Sequence, residues 1–356
     1  MQAVVWTGEL EVRNDVELRA VEPHEVRVRL HSAGLCHSDV AVVDGTIPFP
    51  TPVVLGHEGA GVVEAVGGAT SKVKVGDHVV ITTLGNCGQC DACDRGQPTH
   101  CRETMGRLGK PFSVAGEPAY QFANAGVFAE ATVVRESQAI VIDPSVPFDA
   151  ACLIGCAVVT GAGAVLNRAR VQPGQTVVVI GAGGVGLSVV QACRLAGASR
   201  IVVVDANTAK ESAALAFGAT DFVSVSAEEG TVKAVRELGL ERGVDQAFEC
   251  VGHPALIRNA IDLLDWGGTC TLVGVPKLGS EASFVVSSLY NNKSILGCRY
   301  GAARPHHDIP LIVQLYLQGR FLLDEMVTKT YPLSHIGEAI SDLHDGKLNR
   351  GVLRTV

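Results

Sequence analysis

The stretch TVVVIGAGGVGLSVVQACRLAGASRIVVVDAN, residues 176–207, decides the fold. Its opening run TVVVI, bounded by glycine, is apolar and β-branched, the pattern of a short buried strand. GAGGVG follows at 181–186, then LSVVQACRLAG with apolar residues at helical spacing, then a second apolar run, IVVVD, that ends at Asp205. Strand, glycine turn, helix and strand make a βαβ unit. Gly181, Gly183 and Gly186 supply the GxGxxG spacing, Gly184 and Val185 lie within the turn, and Asp205 stands nineteen residues beyond Gly186. Glycines here allow a tight turn and let a pyrophosphate approach the backbone, while free amides at the helix start face its charge. Asp205 is placed to accept hydrogen bonds from both hydroxyls of the adenosine ribose. Its carboxylate repels a 2′-phosphate, which favours NAD over NADP.

Outward from this unit the alternation continues through DFVSV, the helix TVKAVRELGL, VDQAFECVG, the helix PALIRNAIDLL and GTCTLVGV. About 140 residues of such alternation predict a parallel sheet with helices on both faces, over 158–298. The region before it differs. EVRVRLHSAG, GAGVVEAVG and DHVVITT are short, Val-rich strands broken by Gly and Pro, which predicts a β-rich, barrel-like domain over 1–157. The last 58 residues, 299–356, lose the α/β rhythm and are expected to return to that first domain. The fold class is therefore α/β: a β-rich domain interrupted by a doubly wound one.

Composition agrees with a large folded chain. Of 356 residues 47% are hydrophobic, 19% are charged and 40 are glycine, which suits two buried cores and many tight strand–helix turns. A formal charge of −8 with no basic run argues against general nucleic-acid binding. No apolar run is read as membrane-spanning, and the N-terminus lacks an export pattern, so a cytoplasmic protein is expected.

Eleven cysteines in a chain of this kind point to metal rather than to disulfides. Cys87, Cys90, Cys93 and Cys101 form C-x2-C-x2-C-x7-C in the Gly/Asp/Pro-rich loop NCGQCDACDRGQPTHC. Four thiolates can close a tetrahedral shell around Zn²⁺ and leave no position for substrate, a structural site. A four-iron cluster takes the same ligands, and spacing alone does not separate the two. A second group is dispersed: Cys36 in GLCHSD, His57 and Glu58 in LGHEGAG, Cys156 in LIGCAV. Two thiolates and one imidazole leave a fourth position on Zn²⁺ open, the pattern of a catalytic site. Cys152, Cys193, Cys250, Cys270 and Cys298 lie in apolar or Gly-rich surroundings and read as buried small hydrophobes.

Together these segments resemble the medium-chain zinc-dependent alcohol dehydrogenases over essentially the whole chain. The resemblance is carried by GLCHSD, LGHEGAGVVEAVG, the four-cysteine loop, LIGCAVVTGAGAV, the stretch at 176–207, ECVG, VGVP and GKLNR. It implies a GroES-like catalytic domain around a Rossmann domain, one catalytic and one structural zinc, and NAD. It makes Cys36, His57 and Cys156 the catalytic zinc ligands, with Glu58 behind the metal as an occasional ligand. Asp39 then orients His57, and Ser38 takes the substrate proton. His37 and Arg350 fall where the family places cations on the pyrophosphate. Asn207 and Lys210 flank the ribose, Thr160 and Val185 lie near the nicotinamide, and Val273 and Val275 complete the cofactor set.

One position departs from the family. A histidine that ends the proton relay in several members is Ala41 here, so the proton leaves by another route, through the cofactor ribose and water. His306 and His307, beside Pro305, read as solvated loop rather than as a substitute relay. The resemblance lines the substrate pocket with Ser38, Thr83, Phe128, Val275 and Arg299, which fits an apolar or aromatic primary alcohol. Alternatives are a thiol-adduct formaldehyde dehydrogenase, for which Arg299 is the one candidate anchor, and an enzyme that retains NAD permanently. The strand-like segment EASFVVSSLY resembles the region through which family members pair, which implies a homodimer or homotetramer.

Overall fold

The computed structural model describes residues 1–104, 106–225 and 230–355. The chain divides into two compact units, Met1–Ala157 with Arg304–Val356, and Val158–Ala303.

In the first unit the organising element is the eleven-residue strand Glu25–Leu35. Its alternate residues Val26, Val28 and Leu30 are fully buried, whereas Arg27 and Arg29 face Glu64 on the neighbouring strand. It pairs along one edge with Glu58–Val66. On the other it pairs first with Ala131–Arg135 and then, from Ser32 onward, with Arg350–Arg354. The exchange coincides with a register shift between Leu30 and Ser32, where a bulge bends the strand. His78–Ile81, Ala139–Val141 and Val327–Pro332 complete a seven-stranded sheet. A second, six-stranded path contains Ala3–Trp6 and Glu117–Gln121. Valines of the first sheet pack with Leu55, Phe122, Phe128 and Leu353 in one core. The last residues do return to this unit, and they do so by pairing at the centre of its sheet.

The second unit is a six-stranded sheet with parallel pairings, in the spatial order 221–224, 200–205, 176–180, 244–249, 264–272, 294–297. Val177 to Ile180 are all buried, as a central strand covered on both faces requires. The helix Gly184–Leu195 follows the glycine turn, and Pro254–Asp262 follows the strand Val244–Glu249. Chain order reverses between 176–180 and 244–249, so the topological switch point lies there.

Four expectations change. The passage back to the first unit comes at Arg304, not at 299, because the turn Tyr300–Ala302 packs on Val159–Gly163 so closely that a Cβ on Gly163 would lie 2.4 Å from the Gly301 carbonyl oxygen. EASFVVSSLY is not a strand: a helical turn begins at Val286, and Ser288 Oγ bonds the Val285 carbonyl at 2.7 Å. The sheet edge is instead formed by Ser294–Gly297. His306 and His307 open the helix Pro305–Leu317, where both are exposed. Finally, among the described residues one helical run, Phe148–Ala169, is long and apolar enough to cross a membrane, but 78% of its most apolar window is buried within the protein.

Candidate functional site

Cys36 lies at the end of the strand Glu25–Leu35 and opens the short helix His37–Val43. His57 and Glu58 lie at the start of the neighbouring strand, whose pairing sets Glu58 opposite Gly34. Gly34 leaves room for the Glu58 carboxylate: a Cβ would lie 2.3 Å from Glu58 Oε2. Gly56, at φ +89°, turns the chain into His57, and a Cβ there would strike Phe128 at 2.4 Å. One donor atom from each of Cys36, His57 and Glu58 lies within 4.8 Å of the others, and all three residues are buried. Cys156 sits in the π-helical turn Ile154–Val158, an irregularity common at functional sites.

Asp39 ties this group together. Its Oδ1 lies 2.9 Å from His57 Nδ1 and also accepts the Gly56 amide at 3.1 Å, while Oδ2 accepts the Cys36 amide at 3.1 Å. A proton on Nδ1, held by Asp39, leaves the Nε2 lone pair for a metal. Burial opposes a charge on His57, but Asp39 and Cys36 outweigh it and raise its pKa well above the ordinary value. A hydrogen bond from the Cys156 thiol, with help from His57, holds Cys36 well below the ordinary thiol range; the same bond and burial push Cys156 up. Such a pair carries a ready thiolate, and a cation between the sulfurs would take the place of the shared proton. Ser38 Oγ lies 3.9 Å from Cys36 Sγ.

Behind these groups Arg350 and Glu58 form a buried ion pair. The Ala157 amide also donates to Glu58 Oε1 at 3.2 Å. Burial raises the Glu58 carboxyl to about 7 against the pull of Arg350. Arg350, expected at the pyrophosphate, is held here by Glu58. His37 is exposed.

An aromatic edge, missed in the sequence, borders His57. The Phe122 ring meets the imidazole edge-on at 5.4 Å, Phe49 meets Phe122 edge-on at 5.4 Å, and Tyr120 meets Phe49 at 6.4 Å. Phe122 and Tyr120 stand in the segment AYQFAN, where no spacing signal marks them as neighbours of His57. Phe128 is fully buried, and Thr83 is half-buried.

The four-cysteine loop forms a separate centre. Cys87, Cys90, Cys93 and Cys101 place their sulfurs within 4.8 Å of one another, with Cys90–Cys93 at 3.6 Å and Cys87–Cys93 at 4.0 Å. A Zn²⁺ with Zn–S bonds of about 2.3 Å separates tetrahedral sulfurs by about 3.8 Å. The spacing fits one ion; a four-iron cluster would interpose several metals and drive the sulfurs further apart. Burial opposes a thiolate at Cys101, but the Cys87 amide at 3.4 Å and other donors lower it to about 6.

In the second unit the glycine turn has the expected shape. Gly181 adopts φ +100°, and a Cβ on Gly186 would lie 1.8 Å from the Gly181 carbonyl oxygen. Gly183 is open, and the helix begins at Gly184 and Val185. Asp205 Oδ2 accepts the Ala182 amide at 2.7 Å and Oδ1 accepts the Asn207 amide at 2.9 Å. Lys210 Nζ lies 3.5 Å from Asp205, and Asn207 Oδ1 caps the next turn through Ala209. Thr160 lies in the helix Val159–Gly163, whose Gly161 lies against the Val185 carbonyl; Val273 is buried and Val275 is 67% exposed. Arg299 is exposed. Of the five remaining cysteines, Cys152, Cys193 and Cys270 are buried as expected, whereas Cys250 and Cys298 are half-buried because they stand just beyond strand ends.

Comparison with known proteins gives two family models. The Alcohol dehydrogenase GroES-like domain matches residues 22–144, and Zinc-binding dehydrogenase matches residues 184–318. The chain is 36% identical to an S-(hydroxymethyl)glutathione dehydrogenase of Saccharomyces cerevisiae, over 96% of this chain and 92% of the relative. Among solved structures it is similar to an alcohol dehydrogenase zinc-binding domain protein from Burkholderia ambifaria, with TM-score 0.93, 40% identity and coverage of 99% and 98%. It is also similar to benzyl alcohol dehydrogenase from Acinetobacter calcoaceticus, with TM-score 0.92, 34% identity and coverage of 100% and 99%.

Proposed function

Because the chain belongs to the medium-chain zinc-dependent alcohol dehydrogenase family, we propose that it interconverts an apolar or aromatic primary alcohol and its aldehyde. Zinc and NAD are the cofactors of this enzyme class. When bound, zinc supplies a Lewis acid that acidifies an alcohol or polarises a carbonyl, and NAD supplies the two-electron acceptor.

This chain's own residues do the rest. Cys36, His57 and Cys156 would hold the catalytic zinc, with Glu58 in reserve, and Cys87, Cys90, Cys93 and Cys101 would hold the structural one. Asp39 keeps the proton on His57 Nδ1 and so keeps Nε2 a ligand. Ser38 Oγ would accept the proton of the substrate hydroxyl, and Ala41, in place of a relay histidine, offers no onward acceptor. Gly181, Gly183, Gly184 and Gly186 would receive the pyrophosphate, with His37 and Arg350 as its cations; Asp205, Asn207 and Lys210 would flank the adenosine ribose, Thr160 and Val185 the nicotinamide, and Val273 and Val275 complete the cofactor set.

The observation that carries the substrate class is the aromatic edge of Phe122, Phe49 and Tyr120 beside His57. Phe122 is itself buried in the core, and the half-buried rings of Phe49 and Tyr120 suit an aromatic or extended apolar substrate better than a small polar one. Likeness to a benzyl alcohol dehydrogenase supports the same choice. A second reading, oxidation of an S-hydroxymethyl thiol adduct, is supported by the identity to S-(hydroxymethyl)glutathione dehydrogenases.

The reading includes a cytoplasmic location, supported by eleven free thiols, and a closed homo-oligomer, supported by the exposure of Val286 and Tyr290 in the second unit. The test follows NADH absorbance with NAD and a panel of ethanol, benzyl alcohol, octanol, secondary alcohols, and formaldehyde with and without glutathione. Turnover best with benzyl alcohol or octanol supports the main reading. Turnover of formaldehyde only with glutathione replaces it with the second, and no NADH from zinc-loaded protein overturns both.

A further inference from the structure

We propose that Cys87 is the point at which a peroxide oxidises the four-cysteine centre and releases its metal, which makes this loop a site of reversible thiol modification. This rests on the reading that Cys87, Cys90, Cys93 and Cys101 hold the structural zinc.

Four thiolates around one Zn²⁺ leave the centre with excess negative charge, which N–H and O–H donors to the sulfurs offset. A sulfur whose lone pairs are engaged by such donors is a weaker nucleophile than a bare one. The donors here are unevenly shared. Cys101, only 2% exposed, receives the Cys87 amide at 3.4 Å and the Glu103 amide, and lies 3.8 Å from Thr104 Oγ1. Asn86 Nδ2 donates to Cys93 Sγ at 3.5 Å, and the Cys93 amide donates to Cys90 Sγ. Among the described residues no nitrogen or oxygen donor reaches Cys87 Sγ, which has Cys93 Sγ beside it at 4.0 Å. Cys87 is therefore the bare thiolate of the four.

Access permits the reaction. Cys87 is half-buried, and the next two residues, Gly88 and Gln89, are exposed. Gly88 turns at φ +79°, with open space where a Cβ would stand, so no side chain at that position screens the sulfur. Cys90 and Cys93 are half-buried as well, so exposure excludes only Cys101. What separates the other three is the set of donors.

The chemistry takes two steps, with hydrogen peroxide as the oxidant. Cys87 thiolate attacks one peroxide oxygen, an S–O bond forms as the O–O bond breaks, and hydroxide leaves; the sulfur is oxidised to a sulfenic acid and the peroxide is reduced. Cys93 thiolate then attacks Cys87 Sγ, an S–S bond forms as the S–O bond breaks, and a second hydroxide leaves. Two thiolates and one peroxide thus become one disulfide and two hydroxides. An ion left with two sulfurs of four has lost its closed shell and leaves the loop. A thiol reductant together with zinc reverses the change. Asn86 restrains the second sulfur, because its amide occupies a lone pair of Cys93.

The experiment treats zinc-loaded, full-length protein with hydrogen peroxide. Released zinc is followed with a chromophoric chelator, sulfenic acid is trapped with dimedone, and peptide mass spectrometry locates the adducts and disulfides. In wild type the first adduct within the loop is expected on Cys87. Without dimedone, a Cys87–Cys93 disulfide should accumulate in step with zinc release, and a thiol reductant with added zinc should restore the metal. Asn86→Ala should raise early labelling of Cys93 by about fivefold, the worth of one hydrogen bond, and leave that of Cys87 unchanged. The wild-type labelling order decides the matter by itself if that variant does not fold. First labelling on Cys90, Cys93 or Cys101, equal labelling of all four, or zinc loss from the loop without any adduct overturns the proposal while leaving the zinc site intact. Wild-type protein that retains no metal on the four cysteines overturns the structural-zinc reading and the proposal with it.

Discussion

His57 Nδ1 and Asp39 Oδ1 lie 2.9 Å apart, with both side chains almost wholly out of solvent. The pair converts an ambiguous imidazole into a directed ligand, because the proton that Asp39 attracts cannot also occupy Nε2. The same carboxylate binds the amides of Cys36 and Gly56, so it sets the positions of two ligand-bearing segments at once.

Asp39→Asn should therefore cost about 10- to 100-fold in affinity for the catalytic zinc, the usual price of losing a ligand's orienting partner. Competition with a chelator, with metal content read after dialysis, checks this. Unchanged zinc retention at the catalytic site would remove Asp39 from its assigned role.

Ser38 Oγ approaches Cys36 Sγ to 3.9 Å, and the proposed mechanism gives it the proton of the substrate hydroxyl. Removing its hydroxyl with Ser38→Ala should lower kcat by about 10²-fold or more, the scale of a lost proton acceptor, with little change in KM for the alcohol. Ser38→Thr should keep most of the activity, since it retains the hydroxyl. A Ser38→Ala enzyme as fast as wild type would mean that the proton leaves from another atom.

Cys93 lies 3.6 Å from Cys90 and 4.0 Å from Cys87, at the centre of the four-sulfur group. Cys93→Ser should reduce zinc from about two ions per chain to about one and lower the thermal midpoint, because a closed site contributes to folding directly. Atomic absorption with a parallel melting curve decides it. Several irons per chain with acid-labile sulfide, in protein purified without added metal, would contradict the single-ion geometry.

Asp149 accepts Ser32 Oγ at 2.6 Å and the Arg354 guanidinium at 2.6 Å. Burial works to raise its pKa, but these two contacts outweigh it and hold it below the ordinary carboxylate value. The folded state therefore binds this proton less readily than the unfolded chain does. The resulting stability is fully present above about pH 4 and fades as the pH falls through the lower, folded value. Asp149→Asn should cost about 1 kcal/mol at pH 7, kept small because Arg354 is largely exposed, and progressively less in acid. Urea unfolding of both proteins at pH 7 and pH 3 measures the difference; an equal deficit at both would show that the charge is not responsible.

Much of this was readable from local pattern. TVVVI, GAGGVG and IVVVD each carry their meaning in consecutive residues, because a buried strand, a turn that needs glycine and a helix start are local requirements. The four cysteines of 87–101 were legible for the same reason; their spacing left one ion or a cluster open, the family resemblance favoured zinc, and the sulfur separations fit one ion. EASFVVSSLY misled because alternation alone cannot show whether a neighbouring strand exists to pair with it. His306 and His307 were read as solvated loop because they are a polar pair; they are exposed, but Pro305 stands at the first position of a helix, where proline is well tolerated, and the pair follows it into that helix.

By itself, then, the sequence determined the two kinds of domain, the dinucleotide turn, the metal-binding loop and the identity of the residues able to ligate zinc. Only the tertiary structure decided how the catalytic group is held. Arg350 and Glu58 are separated by 292 residues and form a buried ion pair, and Phe122 reaches the edge of His57 from a different strand pairing. Neither relationship leaves a periodic trace, since each depends on which strands are hydrogen-bonded to which. A cation buried behind the zinc ligands needs an anion beside it, and it was the pairing of strands 25–35, 58–66 and 350–354 that supplied one.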